Sequence, residues 1–411
     1  MSRRLLAISW DMPPMSGPRA VQVSRTLNQL VPLGWESWVV CFGPRSNRYN
    51  QDPELASRLR APAGVTLVHV PSLEEHLLFR SLWRIAPPLK LLPDEKWVWI
   101  GAAARAARRI AAERRFDVLV SFAQPFSDHL IGLRVRRATG LPWVAHFSDP
   151  WIDNPYLKGA SWQRRLWQRL EGDVVRDADA LVFVNSQTAE RVMRKYPDAW
   201  RRKAHVVPHG FDTGEPGAAP SPRDERLTIV HTGRFYDGAR TPDALLRALA
   251  ALSPRRPLAR ELRVVFVGTP IPAHRRLATS LGLDGIVEFT GRVPFAESAR
   301  WAAAADVLLL IDAPADESLF LPSKLIDYLP AAKPILALTP QRGASADVVR
   351  ALGYPVIAPD DETGIAAAIE QLLTAKHDGR MSRSSQHDAV AAQYDIRRTA
   401  GAFAEILVQC A

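Results

Sequence analysis

The chain has 411 residues, 47% of them hydrophobic, with a mean hydropathy of −0.11 and a formal net charge of +10. Those figures describe a soluble globular protein long enough for two or three domains. Cys41 and Cys410 are its two cysteines, too few for a cysteine-built metal cluster or a disulfide framework, which fits a reducing cytoplasm. The basic, then apolar start is halted by Asp11, Pro13 and Pro14, short of a signal-peptide core. No run reaches membrane-spanning length. The positive charge lies in residues 1–210, whereas 211–411 is slightly acidic. A basic half favours an anionic partner: a membrane surface, a lipid-linked phosphate or nucleic acid. No nucleic-acid-reading module accompanies it, so nucleic acid is not an expected partner.

Residues 5–10 form a short apolar run that reads as a first parallel strand. A Gly/Pro-rich loop containing Gly17 follows, then Val21, Val23, Leu27, Leu30 and Val31 at roughly helical spacing. Strand, loop, helix is where α/β proteins receive phosphates or sugars, although a plain turn fits Gly17 as well. Residues 38–42 and 65–70 read as further strands. In 73–115, Leu77, Phe79, Trp83, Trp97 and Trp99 interleave with Arg80, Arg84, Lys90, Arg105 and Arg108. That mixture suits an interfacial helix on an anionic bilayer. It suits equally an amphipathic helix pair packed on its own domain. Residues 116–122 and 141–147 are strands, the second running into Ser148-Asp149-Pro150-Trp151. Polar groups at the carboxyl end of a parallel strand lie over the sheet's crevice, so His146 and Asp149 are candidates for binding sugar or moving protons. The structural alternative is a capping Asp and a hydrogen-bonded His.

Residues 213–224, rich in Gly, Pro and Ala, read as a linker. Residues 227–232 are a strand ending in Gly233-Arg234, where a guanidinium offers several fixed donors to phosphate oxygens. Strands follow at 262–267, ending at Gly268, and near 286–290 and 304–311, with a helix at 242–252. The chain is organised around residues 320–337: loop, short helix, turn, buried strand. Pro322 suits a helix's first turn, and Ser323 adds a hydroxyl where unpaired N–H groups and the dipole favour an anion. Lys324 and Asp327, three apart, share one face and suit a diphosphate and ribose hydroxyls. An ordinary surface Lys–Asp pair is the alternative.

The segment Pro322-Ser323-Lys324-Leu325-Ile326-Asp327-Tyr328, with Lys333-Pro334-Ile335-Leu336, resembles the "PSK(L/I)xEYxAxxKPIL" signature of nucleotide-sugar glycosyltransferases of the GT-B fold, specifically the retaining family numbered four. Matches run in order along most of the chain: Asp149-Pro150-Trp151, residues 178–186, residues 205–212, Gly233-Arg234, residues 286–294 and residues 304–311. The resemblance implies an α/β fold of two Rossmann-like domains facing across a cleft. It implies an acceptor-side domain over 1–210, a donor-binding domain over 211–388, and a terminal helix at 389–411 that returns to the first. It also implies metal-independent sugar transfer, with retention, from a nucleoside-diphosphate sugar to a glycan or lipid-linked acceptor, without a further cofactor. By the same resemblance Arg234, Lys324, His146 and Asp149 are catalytic. Gly17, Gly233, Gly268, Arg292, Val293, Leu321, Pro322, Ser323 and Asp327 would then line the donor site. Family habit, with the basic and aromatic first domain, suggests a cytoplasmic enzyme of cell-envelope polysaccharide synthesis at the inner membrane face, where the residues of 73–115 would touch the bilayer.

The sequence departs from the signature at several places. Asp327 stands for the usual Glu, His209 for Asn, Pro18 for a second Gly, and Arg240 is the nearest substitute for a Lys after Asp237-Gly238. Eight residues before Asp327 the family carries a glutamate; here Leu319 occupies that place and Glu317 is the nearest carboxylate. Pro330 should end the helix one turn after Asp327. Epimerisation or hydrolysis of a nucleotide sugar, or a catalytically degenerate scaffold, remain open on the sequence alone.

Overall fold

A computed structural model describes residues 2–44, 51–59, 62–76, 79, 91–212, 225–236, 239–269 and 271–411. The proposed linker at 213–224, Asp237-Gly238 and much of 77–90 lie outside the described residues. Contacts divide the chain into two compact units: 1–210 with 396–411, and 211–395.

The first unit is built on a seven-stranded parallel sheet in the order β3-β2-β1-β4-β5-β6-β7. Its strands are β1 (Arg3–Ile8), β2 (Trp35–Phe42), β3 (Val65–Val70), β4 (Val118–Ala123), β5 (Trp143–Phe147), β6 (Ala180–Phe183) and β7 (Ala204–Val206). Successive side chains of a strand point to opposite faces, so a sheet covered on both sides needs unbroken apolar runs. Accordingly Leu6 and Ile8 enter one core, while Leu5 and Ala7 enter the core on the other face. The helix Ile396–Cys410 completes that second face, bringing Phe403 and Leu407 onto Val23 and Leu27 of the helix Pro18–Leu30. Residues 389–395 stay with the second unit, where Phe211 N–H donates to the Tyr394 carbonyl at 2.9 Å and bridges to Asp395.

The second unit carries a six-stranded parallel sheet, β10-β9-β8-β11-β12-β13. Its strands are β8 (Leu227–Thr232), β9 (Leu262–Val267), β10 (Val287–Gly291), β11 (Val307–Ile311), β12 (Ile335–Leu338) and β13 (Val356–Ile357). In both sheets the direction of winding reverses once, between β1 and β4 and between β8 and β11. Open α/β sheets receive ligands beyond the carboxyl ends of the strands at such a reversal.

Within 73–115, the helix Ile100–Glu113 turns its apolar side inward, whereas Leu73 is exposed. Trp99, Ile100, Ala103, Ala107 and Ile110 are buried in the first unit's core. The helix Ile100–Glu113 therefore keeps no apolar face for a bilayer, and the packed alternative describes it better. Among the described residues, no helix is long and apolar enough to cross a membrane.

Candidate functional site

In the second unit the reversal point gathers Gly233, Gly268, His231 and Lys324. The helix carrying Lys324 spans only Ser323–Tyr328, with Pro322 just before it at φ −61°, ψ 130°. It stops at Tyr328, and a 3-10 turn through Pro330 ends at Ala332 in the left-handed region. Six residues make a weak dipole, so the helix end expected to hold an anion contributes less than the charged side chain on it.

That side chain is held by β8. Nδ1 of His231 lies 3.0 Å from the Leu309 carbonyl, so Nδ1 carries the proton and donates. Nε2 then presents a lone pair, and Lys324 Nζ donates to it at 2.9 Å. His231 is fully buried and stacked on Phe235, which fixes its ring. Tyr328 OH accepts the Thr232 N–H at 2.9 Å and lies 3.2 Å from the same Leu309 carbonyl, tying the short helix to the end of β8.

Beyond β8 the backbone must pass very close to its neighbours. A Cβ on Gly233 would sit 3.1 Å from Lys324 Nζ, so the ammonium lies directly over this backbone. Gly268 has φ +154°, and a Cβ there would fall 2.1 Å from the Gly233 carbonyl oxygen. Only glycine fits. Arg292 and Val293 follow the end of β10.

The electrostatics favour an incoming anion. Burial pushes the Lys324 pKa well below the usual lysine range, Arg240 pushes it further, and Asp312 opposes them. Arg240 Nη2 meets Asp312 Oδ1 at 3.3 Å, while its buried Nε has no partner. Asp312 is itself shared with Thr339 Oγ1, at 2.8 Å. Arg234 is exposed and makes no ion pair among the described residues. Ser323 and Asp327 are half-buried on the short helix.

The loop before that helix is stitched down. Ser318 N–H donates to the Arg342 carbonyl and the Ser318 carbonyl accepts from Ala344 N–H, both at 2.8 Å. Gly343, at φ +107°, allows this, since a Cβ there would lie 2.2 Å from the Ser318 oxygen. Leu319 and Leu321 are buried, and Glu317 is half-buried.

In the first unit Gly17 precedes Pro18–Leu30, with Asp11 Oδ2 3.6 Å from where its Cβ would lie. Arg19, one residue into that helix, is buried and reaches His146 Nδ1 at 3.1 Å. A guanidinium only donates, so Nδ1 accepts and the His146 proton is on Nε2. Burial, Arg19 and nearby His209 hold its pKa well below the ordinary histidine value. His146 therefore offers an N–H rather than a lone pair, which suits binding better than proton abstraction. Asp149 accepts from Gln124 Nε2 at 3.0 Å and from Ser148 Oγ at 3.2 Å, and burial raises its pKa. Asp11, raised by burial to about 6, and Asp128, raised well above its usual value, both act on Arg19. Among the described residues no group of three or more His, Cys, Asp or Glu side chains is placed to hold a metal.

Sequence reasoning missed His231, Arg19 and Asp312. The signal for His231 was an ionisable residue inside a buried parallel strand, which must find buried partners.

A family profile described as "Glycosyl transferase 4-like domain" matches residues 19–210, and one described as "Glycosyl transferases group 1" matches 226–375. A protein named D-inositol 3-phosphate glycosyltransferase 2, from Catenulispora acidiphila, is 30% identical over 222 residues, 50% of this chain and 51% of that protein. The chain thus spans about half the length of that curated relative. Among solved structures, Anabaena HepE in complex with UDP matches with a TM-score of 0.69 at 16% identity, over 99% of this chain and 100% of that one. Sucrose-phosphate synthase from Thermosynechococcus elongatus matches with 0.73 at 15% identity, over 99% and 98%. At such identities these two likenesses concern the fold.

Proposed function

Because this chain belongs to the GT-B glycosyltransferases of the family-4-like type, we propose that it moves a sugar from a nucleoside-diphosphate sugar to an acceptor with retention of configuration. The observation that carries this reading is the His231–Lys324 pair above Gly233, a fixed cation with too little counter-charge of its own. As the glycosidic bond breaks, negative charge grows on the diphosphate and the sugar becomes oxocarbenium-like. Lys324 and Arg240 supply a preorganised positive field for that charge, and Arg234, exposed after Gly233, reaches for the same phosphates. With three cations in those roles the transfer needs no metal. The 2-hydroxyl and ring contacts of the sugar fall to the stitched loop carrying Glu317, and the nucleobase to backbone near Gly268 and Arg292.

In this reading the first unit takes the acceptor, with His146 donating from Nε2 and Asp149 accepting. The acceptor is a glycan or lipid-linked intermediate of cell-envelope polysaccharide, made on the cytoplasmic side of the membrane. The name of the Catenulispora relative adds a phosphorylated polyol to the acceptors worth testing.

A thermal-shift screen with UDP, GDP, ADP, TDP and their sugars tests the donor. A ligand at about 100 times its Kd adds roughly 2.7 kcal/mol of stability. No shift with any of them would overturn the reading. Donor turnover that ignores every acceptor would replace it with hydrolysis or epimerisation.

A further inference from the structure

The helix Ser161–Asp177 turns Gln163, Trp167, Glu171, Val174 and Val175 inward. Trp167 is fully buried, and its Nε1 donates to the Leu91 carbonyl at 3.2 Å. Glu171 is fully buried as well and accepts from Ile152 N–H at 3.0 Å, so both the helix and the loop before it are anchored. Gly159 lies so close that a Cβ would fall 2.3 Å from the Trp167 ring. This locked segment pushes two large aromatics into solvent: Tyr156 is 52% exposed and Trp162 47%.

Around them the charge has one sign. Lys158, Arg164, Arg165 and Arg169 are all exposed, none makes an ion pair among the described residues, and no carboxylate occurs between Asp153 and Glu171. Trp162, Arg165 and Arg169 recur at helical spacing and share one face. The basic helix Ile100–Glu113 differs. Its apolar side is buried, Arg109 faces Glu113 at 3.9 Å, and Arg105 Nε donates to the Gly101 carbonyl. Exposed aromatics beside uncompensated cations fit the boundary of an anionic bilayer, where rings enter the headgroup layer and cations meet lipid phosphates.

We propose that residues 156–169 are a docking surface for a membrane carrying anionic headgroups. The surface stands apart from the proposed transfer reaction, and nucleotide-induced thermal shifts on the same samples report on that reaction separately. The test is co-sedimentation of the full chain with vesicles of phosphatidylcholine alone or mixed equally with phosphatidylglycerol. The chain should pellet with the mixed vesicles only, and less so as salt rises from about 0.1 M toward 1 M. Trp162→Ser with Tyr156→Ser, and separately Arg165→Glu with Arg169→Glu, should each weaken binding about tenfold or more, while Arg105→Glu with Arg108→Glu should not. If the aromatic variant fails to fold, the charge-reversed pair decides. No pelleting with the mixed vesicles, equal pelleting of all variants, or retention by single-stranded RNA but not by vesicles would each overturn the proposal.

Discussion

Each unit places a cation early in a helix at its sheet's reversal point and lets it donate to a strand histidine. In the first unit Arg19 donates to His146 on β5; in the second Lys324 donates to His231 on β8. The difference lies in what surrounds the cation. Asp149, Asp128 and Asp11 all oppose the desolvation of Arg19 and keep it charged. Lys324 has Arg240 as its strongest charged neighbour and Asp312 only after that. Similar scaffolds thus yield one centre balanced from within and another that waits for negative charge from outside.

Substitutions at the two cations should separate stability from function. Arg19→Met removes the hydrogen bond to His146 and the buried positive charge that opposes the raised pKa values of Asp11, Asp128 and Asp149, so the fold should lose stability. The loss should show as a lower denaturant midpoint at neutral pH. It should shrink as pH falls toward about 6, because without Arg19 the Asp11 carboxyl takes up its proton at a higher pH than in the wild type and no longer needs a counter-ion. An unchanged midpoint would mean that the acidic cluster does not depend on Arg19. Lys324→Met removes a poorly solvated cation, so the fold should hold or gain slightly in stability while transfer falls about 10²–10³-fold, or 2.7–4 kcal/mol of transition-state stabilisation. Steady-state rates beside melting curves would show this, and parallel losses in both would erase the contrast.

The smallest effect is expected at His231. His231→Asn leaves the ammonium but not its fixed acceptor, and kcat should drop roughly tenfold, as expected for lost orientation. In the wild type, UDP affinity should decline as pH rises through the lowered Lys324 pKa, because deprotonation removes the charge that attracts phosphate. Losing the His231 acceptor disfavours the ammonium further, so that alkaline limb should move to lower pH. Calorimetric pH profiles that overlay for both proteins would remove His231 from the site.

Strands were legible because a parallel sheet covered on both faces writes itself as unbroken apolar runs, as at Val118–Ala123 and Val307–Ile311. The short helix was legible from Pro322 and Pro330, which bound it chemically at either end. What could not be read were pairings across long separations. Arg19 meets His146 over 127 positions and Lys324 meets His231 over 93, and spacing carries no record of such encounters. Residues 73–115 show a related limit. Apolar and basic residues at helical spacing mark Ile100–Glu113 as amphipathic, yet only the fold shows that its apolar side meets the protein's own core.

The junction of Ser318 with Gly343 bears on any attempt to retrain the enzyme toward another sugar. The loop from Asp312 to Leu321 is riveted to the start of Ala344–Ala351 by backbone bonds that leave no room for a side chain at 343. A randomised library should vary Pro314, Asp316 and Glu317 freely while holding 318 and 343 constant. Diversity at the rivet would mostly yield clones whose loop has sprung loose, whatever new contacts the rest of it had gained.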